Sequence, residues 1–187
     1  IQAYNAYHSF IQTAIDSVET YFDSGILLDL HGHGHDIQRL ELGYLLEPND
    51  LDLGNIQISS STYIEKSSIS QIASLSPANF SEVLRGPTSF GGLMVTKSYS
   101  YSSAGSGTDV YTFDAVPSTT TASPGTDPYF TGGYTTVKYS IGEINVIQIE
   151  ANYDRARDTA RGYGALGSAI EESLFDFYRE HTGQSIY

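Results

Sequence analysis

Apolar residues recur at three- and four-residue steps near both ends of the chain, the spacing of one face of an amphipathic helix. The first such segment covers residues 4–22, and Gly25 follows where the helix can end. The second covers residues 159–181, with Asp158 as the expected N-cap and Gly183 as the expected C-terminal stop. Its predicted packing face consists of Leu166, Ile170, Leu174, Phe175, Phe177 and Tyr178.

Two short apolar runs predict buried strands. Residues 26–30 are apolar apart from Asp29, and residues 144–149 read Ile-Asn-Val-Ile-Gln-Ile. Runs of this kind are typical of strands covered on both faces in a parallel or mixed sheet. Residues 40–46 are a third strand candidate, with a turn expected at residues 48–50. Helices that alternate with apolar strands indicate an α/β fold.

The middle of the chain has weaker periodicity. Residues 67–75 and 77–84 have short helical character. Residues 105–107 and 119–128 are predicted to be loops because of their Gly, Pro, Ser and Thr content.

The 187 residues suit one domain with a single core, residues 1–187. The sequence starts at Ile1 without an initiator Met and with a helical pattern already under way, so an N-terminal portion is expected to lie outside it.

Composition narrows the classes of partner. With 22 Asp and Glu against 9 Lys and Arg, the net charge of -13 disfavours nucleic acid. No apolar run approaches the roughly 20 residues of a membrane span, which predicts a soluble protein. Because Cys is absent, a metal must be held by His, Asp or Glu. Fifteen Tyr and a glycosylation sequon at residues 79–81 slightly favour an extracellular over a cytoplasmic location.

Three histidines, His31, His33 and His35, lie in a polar run where the first strand should stop. Ligands of open α/β sheets collect outside the carboxyl ends of strands, and neutral imidazoles bind zinc. We expect one or two of the three to be metal ligands, because a zinc site rarely takes three from one pentapeptide. The alternative is a polar loop whose histidines form hydrogen bonds or face solvent.

Two carboxylates stand in the apolar strands. Asp29 could orient a histidine ligand, because an unpaired buried carboxylate is costly, or it could cap a loop. Glu150, at the end of the second strand, could take a proton from an attacking water and pass it to a leaving nitrogen. Its alternative role is a salt-bridge partner.

At these residues the chain resembles a known family. Asp29-Leu30-His31 resembles the Asp-x-His segment of N-formylglutamate amidohydrolases and of the related aspartoacylases and zinc carboxypeptidases. Residues 130–136, Phe-Thr-Gly-Gly-Tyr-Thr-Thr, resemble the Phe-x-Gly-Gly-x-x-Thr segment of the N-formylglutamate enzymes. Residues 146–150, Val-Ile-Gln-Ile-Glu, resemble their Val-Gln-x-Glu strand. The resemblance runs through essentially the whole chain.

The resemblance implies a three-layer αβα fold of the phosphorylase/hydrolase type, with a mixed, mostly parallel sheet. It implies a zinc ion, with His31 as ligand, His33 and His35 as further candidates and Asp29 behind them. Glu150 would move the proton while a water activated by zinc attacks an amide carbonyl. The implied substrate is an N-acyl amino acid or a small peptide.

The resemblance also suggests residues that hold the substrate. Arg39 matches an Arg that follows the metal segment in the family, and a guanidinium suits bidentate capture of a carboxylate. Its alternative role is a surface ion pair with Glu41 or Glu47. Arg155 is a second candidate for the same task. Gly132 and Gly133 would let the backbone approach the substrate beside Tyr134, or form a turn.

The chain departs from the family at two points. The family's first metal motif is expected upstream of Ile1, and Val137-Lys138 stands where the family often has Arg-His. Two alternatives therefore accompany the amidohydrolase hypothesis. One is a zinc carboxypeptidase-like peptidase, and the other is a catalytically inactive homologue or binding module of the same fold.

Overall fold

The architecture is taken from a computed structural model, which describes residues 2–22, 24–103 and 107–184. The strands are β1 (Gly25–Gly32), β2 (Leu40–Gly43), β3 (Ser98–Ser103), β4 (Gly107–Thr112), β5 (Ala115–Val116) and β6 (Ile144–Ala151). The helices are α1 (Gln2–Tyr21), α2 (Pro48–Leu51), α3 (Asn55–Ile58), α4 (Ser61–Lys66), α5 (Ser70–Leu75), α6 (Phe80–Arg85), α7 (Phe90–Met94), α8 (Tyr134–Tyr139) and α9 (Ala160–Thr182).

The main sheet has the strand order β1-β6-β2-β5. The β1–β6 and β2–β5 pairs are parallel, and the β2–β6 pair is antiparallel. The sheet is therefore mixed and mostly parallel, which confirms the α/β class. Strands β3 and β4 form a separate antiparallel pair.

Strand β6 is buried along its whole length and divides two sets of side chains. Successive side chains of a strand point to opposite faces of the sheet. Ile147 and Ile149 join the main core, which includes Phe177 of α9. Ile144 and Val146 face the other way and pack with Ile15 of α1 in a smaller cluster. The polar side chains of Gln148 and Glu150 continue along this second face.

The two long helices confirm the periodic segments, with one correction at a cap. Helix α1 begins and ends within two residues of the predicted bounds, and α9 within one. The N-cap of α9 is Thr159, whose hydroxyl accepts a hydrogen bond from the Gly162 amide at 3.0 Å, so the assignment to Asp158 is wrong. Gly183 ends α9 with φ +69°, a conformation that glycine adopts without strain.

The predictions for the segments that connect the main helices and strands are only partly confirmed. Residues 48–50 do not form an open turn but begin α2, where Pro48 suits the first helical position and the Asp50 carboxylate accepts from the Glu47 amide at 2.8 Å. The expected helices at 67–75 and 77–84 appear as the shorter α5 and α6, and residues 119–128 are irregular as expected. Of the loop expected at 105–107, Gly105 and Ser106 lie outside the described residues, while Gly107 begins β4. Within the described part of the chain, no helix is both long and apolar enough to cross a membrane.

Candidate functional site

A row of three ionisable side chains crosses the sheet. His31 of β1 is the register partner of Glu150 of β6, and Glu150 is in turn the partner of Glu41 of β2. Register partners on neighbouring strands lie on the same face of a sheet. Asp29 and Gln148 form the preceding row on that face. The pairing thus brings together residues that the sequence separates by more than a hundred positions.

The end of β1 is fixed by an arginine from beyond β6. Arg157 donates through Nη2 to the His33 carbonyl at 2.8 Å and through Nε to the Ala151 carbonyl at 3.0 Å. A Cβ on Gly32 would lie 2.3 Å from the Arg157 Cζ, so a larger residue at this position would displace the Arg157 guanidinium. Strand β1 therefore extends to Gly32 and carries His31 within it, and the loop begins only at His33.

His31 is held by a carboxylate of its own strand. Its Nε2 lies 3.0 Å from Asp29 Oδ1, and the His31 side chain is 49% exposed while that of Asp29 is 10% exposed. A carboxylate that bonds one ring nitrogen fixes the orientation of the imidazole and leaves the other nitrogen for a ligand. Among the described residues, Nδ1 of His31 forms no hydrogen bond.

Glu150 is a buried carboxylate with one oxygen already engaged. Gln148 donates from Nε2 to Glu150 Oε1 at 2.9 Å. Burial raises the pKa of Glu150, and Glu41 on the next strand adds to the rise, while His31, Gln148 and His33 oppose it. A carboxylate with a raised pKa binds a proton more readily than an exposed one, which suits a group that carries a proton between reactants.

His35 is held by a second carboxylate, which the sequence-based prediction treated only as a partner for Arg39. Glu41 is fully buried, and its Oε1 lies 2.8 Å from His35 Nδ1. Its Oε2 accepts from the Phe130 amide at 2.9 Å. The Phe130 ring stacks on His35 with centroids 4.9 Å apart and planes 10° apart. Both the ring plane and the Nδ1 direction of His35 are therefore fixed.

His33, by contrast, uses both ring nitrogens within the loop. Its Nδ1 accepts from the His35 amide at 3.1 Å, and its Nε2 lies 2.8 Å from the Arg39 carbonyl. Because Nδ1 must be an acceptor, the ring proton resides on Nε2 and donates to that carbonyl. His33 thus ties the loop to the start of β2.

The donor chemistry of this face suits zinc. Ligand atoms of His33, His35 and Glu41 lie within 4.8 Å of one another, and two imidazoles with a carboxylate are a known catalytic zinc set. In the present arrangement, however, these three residues are hydrogen-bonded to each other or to the backbone. Among the described residues of this face, the free ring nitrogens are Nδ1 of His31 and Nε2 of His35. The ligand atoms that lie close together are those of His33, His35 and Glu41, and within this group Nε2 of His35 is the free ring nitrogen.

One edge of the Arg39 guanidinium is buried without a hydrogen bond to any described residue. The residue is 7% exposed, and its Nη1 reaches Asp127 Oδ2 at 3.4 Å, so its ion pair is with Asp127 and the alternative of a surface ion pair with Glu41 or Glu47 is wrong. Its Nε and Nη2 are buried and have no hydrogen-bond partner among the described residues. Two adjacent unpaired N–H groups form the edge that binds a carboxylate in bidentate fashion.

The glycine segment packs directly against β2 and β6. A Cβ on Gly43 would lie 2.7 Å from the Gly132 nitrogen, and Gly132 has φ +129°. The Gly133 amide donates to Gln148 Oε1 at 2.5 Å. Since Gln148 in turn bonds Glu150, the segment supports the catalytic carboxylate candidate, and its amide is already used.

Two further candidates lie elsewhere. Tyr134 is 60% exposed and its hydroxyl meets that of Tyr4 on α1 at 3.1 Å. Arg155 donates to the Val110 carbonyl at 2.5 Å and lies over the Tyr111 ring, so its guanidinium is engaged with β4. The structure does not bring these two into the row of His31, Glu150 and Glu41.

The residues that the sequence-based prediction missed are Glu41, Gln148 and Arg157. Glu41 carried a usable signal, because it is a carboxylate inside the apolar run of residues 40–46, the same pattern that singled out Asp29. The other two had no local signal. Their roles depend on partners that only the folded chain brings near.

Comparisons of the chain with protein-family models, with curated proteins and with solved structures found no match. The family resemblance therefore stays a prediction, and any assignment of function rests on the geometry of the site.

Proposed function

We propose that this chain is a zinc-dependent hydrolase of amide C–N bonds in N-acyl amino acids or small peptides, similar to N-formylglutamate amidohydrolases. The proposal includes a three-layer αβα fold of the phosphorylase/hydrolase type. The observation that carries it is the row of His31, Glu150 and Glu41 on one sheet face, with Asp29 behind His31. This row places an oriented imidazole beside a carboxylate of raised pKa.

The metal would be held by Nδ1 of His31, because Asp29 occupies Nε2. Asp29 fixes the ring and increases the basicity of the free nitrogen. When bound, zinc supplies Lewis-acid polarisation of the carbonyl oxygen and lowers the pKa of water.

Glu150 moves the proton in this mechanism. Gln148 fixes Oε1, so Oε2 is the atom that takes a proton from the attacking water. The same oxygen then delivers the proton to the amide nitrogen as the C–N bond breaks, giving a carboxylate and an amine. Burial keeps the protonated form accessible, because it disfavours the ionised carboxylate.

Arg39 anchors the substrate's carboxylate through Nε and Nη2. The two atoms are buried without partners among the described residues, a costly state that a bound carboxylate would relieve. Charge-assisted bidentate pairing suits an N-acyl amino acid, which carries one carboxylate next to the amide. The Gly132–Gly133 segment contributes by positioning Gln148 rather than by donating to the substrate.

The second candidate function is a catalytically inactive homologue or binding module. The observation that favours it is the closed hydrogen-bond network among His33, His35, Glu41 and the nearby backbone. Such a network satisfies these polar groups without an ion.

Substitutions in β1 and β6 distinguish the hydrolase from the inactive homologue or binding module. The purified chain is loaded with zinc, freed of excess metal and assayed against a panel of N-formyl and N-acetyl amino acids. We expect Glu150→Gln to retain zinc and lose turnover, and His31→Ala to lose most of the zinc. Glu65→Gln, on an exposed helix position, is the matched control and should retain both.

Activity retained by Glu150→Gln would refute its role as proton carrier, and unchanged zinc content in His31→Ala would remove His31 from the site. A wild-type chain that binds zinc but hydrolyses no member of the panel would favour the inactive homologue.

A further inference from the structure

We infer that His33, His35 and Glu41 bind a divalent transition-metal ion of their own, at a site separate from the ion proposed for His31. Ligand atoms of these three residues lie within 4.8 Å of one another, and two imidazoles with a carboxylate suit Zn²⁺. In the part of the chain that the structure describes, this group includes neither His31 nor Glu150. The second site therefore goes beyond the proposed function and does not depend on it.

The buried charge of Glu41 favours a cation at this position. Its carboxylate is fully buried on β2. Among the described residues, its ion-pair partner is His35, which carries a charge only when it is protonated. A buried carboxylate without a counter-charge is costly, and a divalent ion would supply that counter-charge.

Two of the three side chains have an outer hydrogen bond that leaves one atom for the ion. His33 donates from Nε2 to the Arg39 carbonyl at 2.8 Å, and its Nδ1 is therefore unprotonated. Glu41 accepts from the Phe130 amide through Oε2 at 2.9 Å, which leaves Oε1. The Phe130 ring stacks on His35 and fixes the plane of the third ligand. Outer partners of this kind orient the ligands of protein metal sites.

His35 can offer Nδ1, the nitrogen that faces Glu41. Oε1 of Glu41 lies 2.8 Å from this nitrogen. Two ligands of one tetrahedral zinc ion lie about 3.3 Å apart, so a shift of about 0.5 Å admits the ion. The proton on Nδ1 can move to Nε2, because Nε2 has no partner among the described residues and 23% of the His35 side chain is exposed.

Binding of the ion displaces two hydrogen bonds of the present loop. One joins His35 Nδ1 to Glu41, and the other is the 3.1 Å bond from the His35 amide to His33 Nδ1. The loss of these bonds reduces the net affinity for the ion. We therefore expect exchangeable binding, which removal of excess metal empties and which a titration with free metal detects.

A titration in the His31→Ala background isolates this site. His31→Ala and its double variants with Glu41→Gln, His33→Gln or His35→Gln are titrated with Zn²⁺ against a chelating dye, and circular dichroism verifies that each is folded. We expect His31→Ala to bind an ion, and each double variant to bind it more weakly by more than the roughly 10- to 100-fold that loss of an outer partner causes. Asp36→Asn in the same background is the matched control. Asp36 is exposed in the same loop, and its substitution removes the same charge as Glu41→Gln but should leave the affinity unchanged.

Cobalt distinguishes loss of a ligand from a change in the fold. The visible absorption of bound Co²⁺ reports its ligands, so Glu41→Gln and His35→Gln should alter the spectrum of His31→Ala, and Asp36→Asn should not. The inference is overturned if His31→Ala binds no Zn²⁺. It is also overturned if Asp36→Asn weakens binding as much as Glu41→Gln does, since that would indicate diffuse attraction to an acidic surface. Neither result bears on turnover by the wild-type chain or on zinc at His31, so the proposed function is tested separately.

Discussion

Arg39 is the residue whose arrangement stability alone explains least, because part of its buried guanidinium has no hydrogen-bond partner among the described residues. A buried polar group without a hydrogen-bond partner costs about 1–3 kcal/mol, and two nitrogens of Arg39 lack a partner among the described residues. Its contact with Asp127 is long, at 3.4 Å, and Asp127 is 41% exposed on its side chain. Arg85 shows the opposite case, because its guanidinium donates to the Leu51 and Leu53 carbonyls and to Asn55.

The two arginines should therefore respond oppositely to the same change. We expect Arg39→Met to leave the free energy of unfolding unchanged or to raise it by about 1–2 kcal/mol, because it removes buried donors that lack acceptors. Arg85→Met should lower it by about 1–3 kcal/mol, because three acceptors lose their donor. Urea denaturation of the wild-type chain and of the two variants measures both changes in the free energy of unfolding. A loss of stability in Arg39→Met as large as that in Arg85→Met would contradict the interpretation that Nε and Nη2 of Arg39 form an unoccupied carboxylate-binding edge.

Strand β2 is short, yet two parts of the site depend on it. It spans only Leu40–Gly43, yet it presents Glu41 to β6 and lies against the Gly132–Gly133 segment. Gly43 makes that approach possible, since an added Cβ would meet the Gly132 nitrogen, the Gly132 Cα and the Thr131 carbonyl carbon within 2.9 Å. These are backbone atoms, so they cannot rotate away as a side chain would.

A pair of glycine substitutions tests this close packing. Gly43→Ala should destabilise the fold by about 1–3 kcal/mol, as overpacking of a core does, and should perturb the segment that supports Gln148. Gly167→Ala, within α9 where an added Cβ meets nothing within 4 Å, should instead stabilise by about 0.5–1 kcal/mol. Thermal unfolding distinguishes the two. A neutral result at Gly43 would show that β2 and the glycine segment can separate.

At the scale of the whole molecule, stability is distributed unevenly. Helix α1 buries only His8 and Ile15 among its 20 residues, and it exposes Tyr4, Tyr7, Phe10 and Tyr21. An apolar groove of about 310 Å³ separates part of α1 from the start of β1. By contrast, all eight residues of β6 are buried. The site rests on β6, so its support does not depend on the weakly packed helix.

Hydrogen exchange should reveal this difference directly. We expect the amides of α1 to exchange with solvent well before those of β6 and α9, because elements with few buried contacts open locally at low free energy. Ile15→Ala should accelerate exchange in α1 more than in β6, since Ile15 belongs to the smaller cluster while Ile147 and Ile149 also hold β6 in the main core. Peptide-level mass spectrometry gives the rates. Equal protection of α1 and β6 would mean that the molecule opens only as one unit.

Part of the fold could be predicted because its signals are local. The long helices α1 and α9 and the strands β1 and β6 follow from apolar spacing within each segment, which depends only on the geometry of a helix or a strand. Glu150 and Asp29 stood out for the same reason, as carboxylates in apolar runs. The short helices of the middle third, the β3–β4 pair and the true cap at Thr159 were missed or shortened, since weak local preferences yield to tertiary contacts.

The amino-acid sequence by itself determined the class of the fold, the helices and strands with strong periodicity, the acidic charge and the set of residues able to bind a metal. Only the tertiary structure decided which of them meet. The register that aligns His31, Glu150 and Glu41, the engagement of both His33 nitrogens and the pairing of Arg39 with Asp127 all join segments that are distant or turned within one loop. Local periodicity specifies which face a side chain occupies, but only strand pairing and packing specify its neighbours.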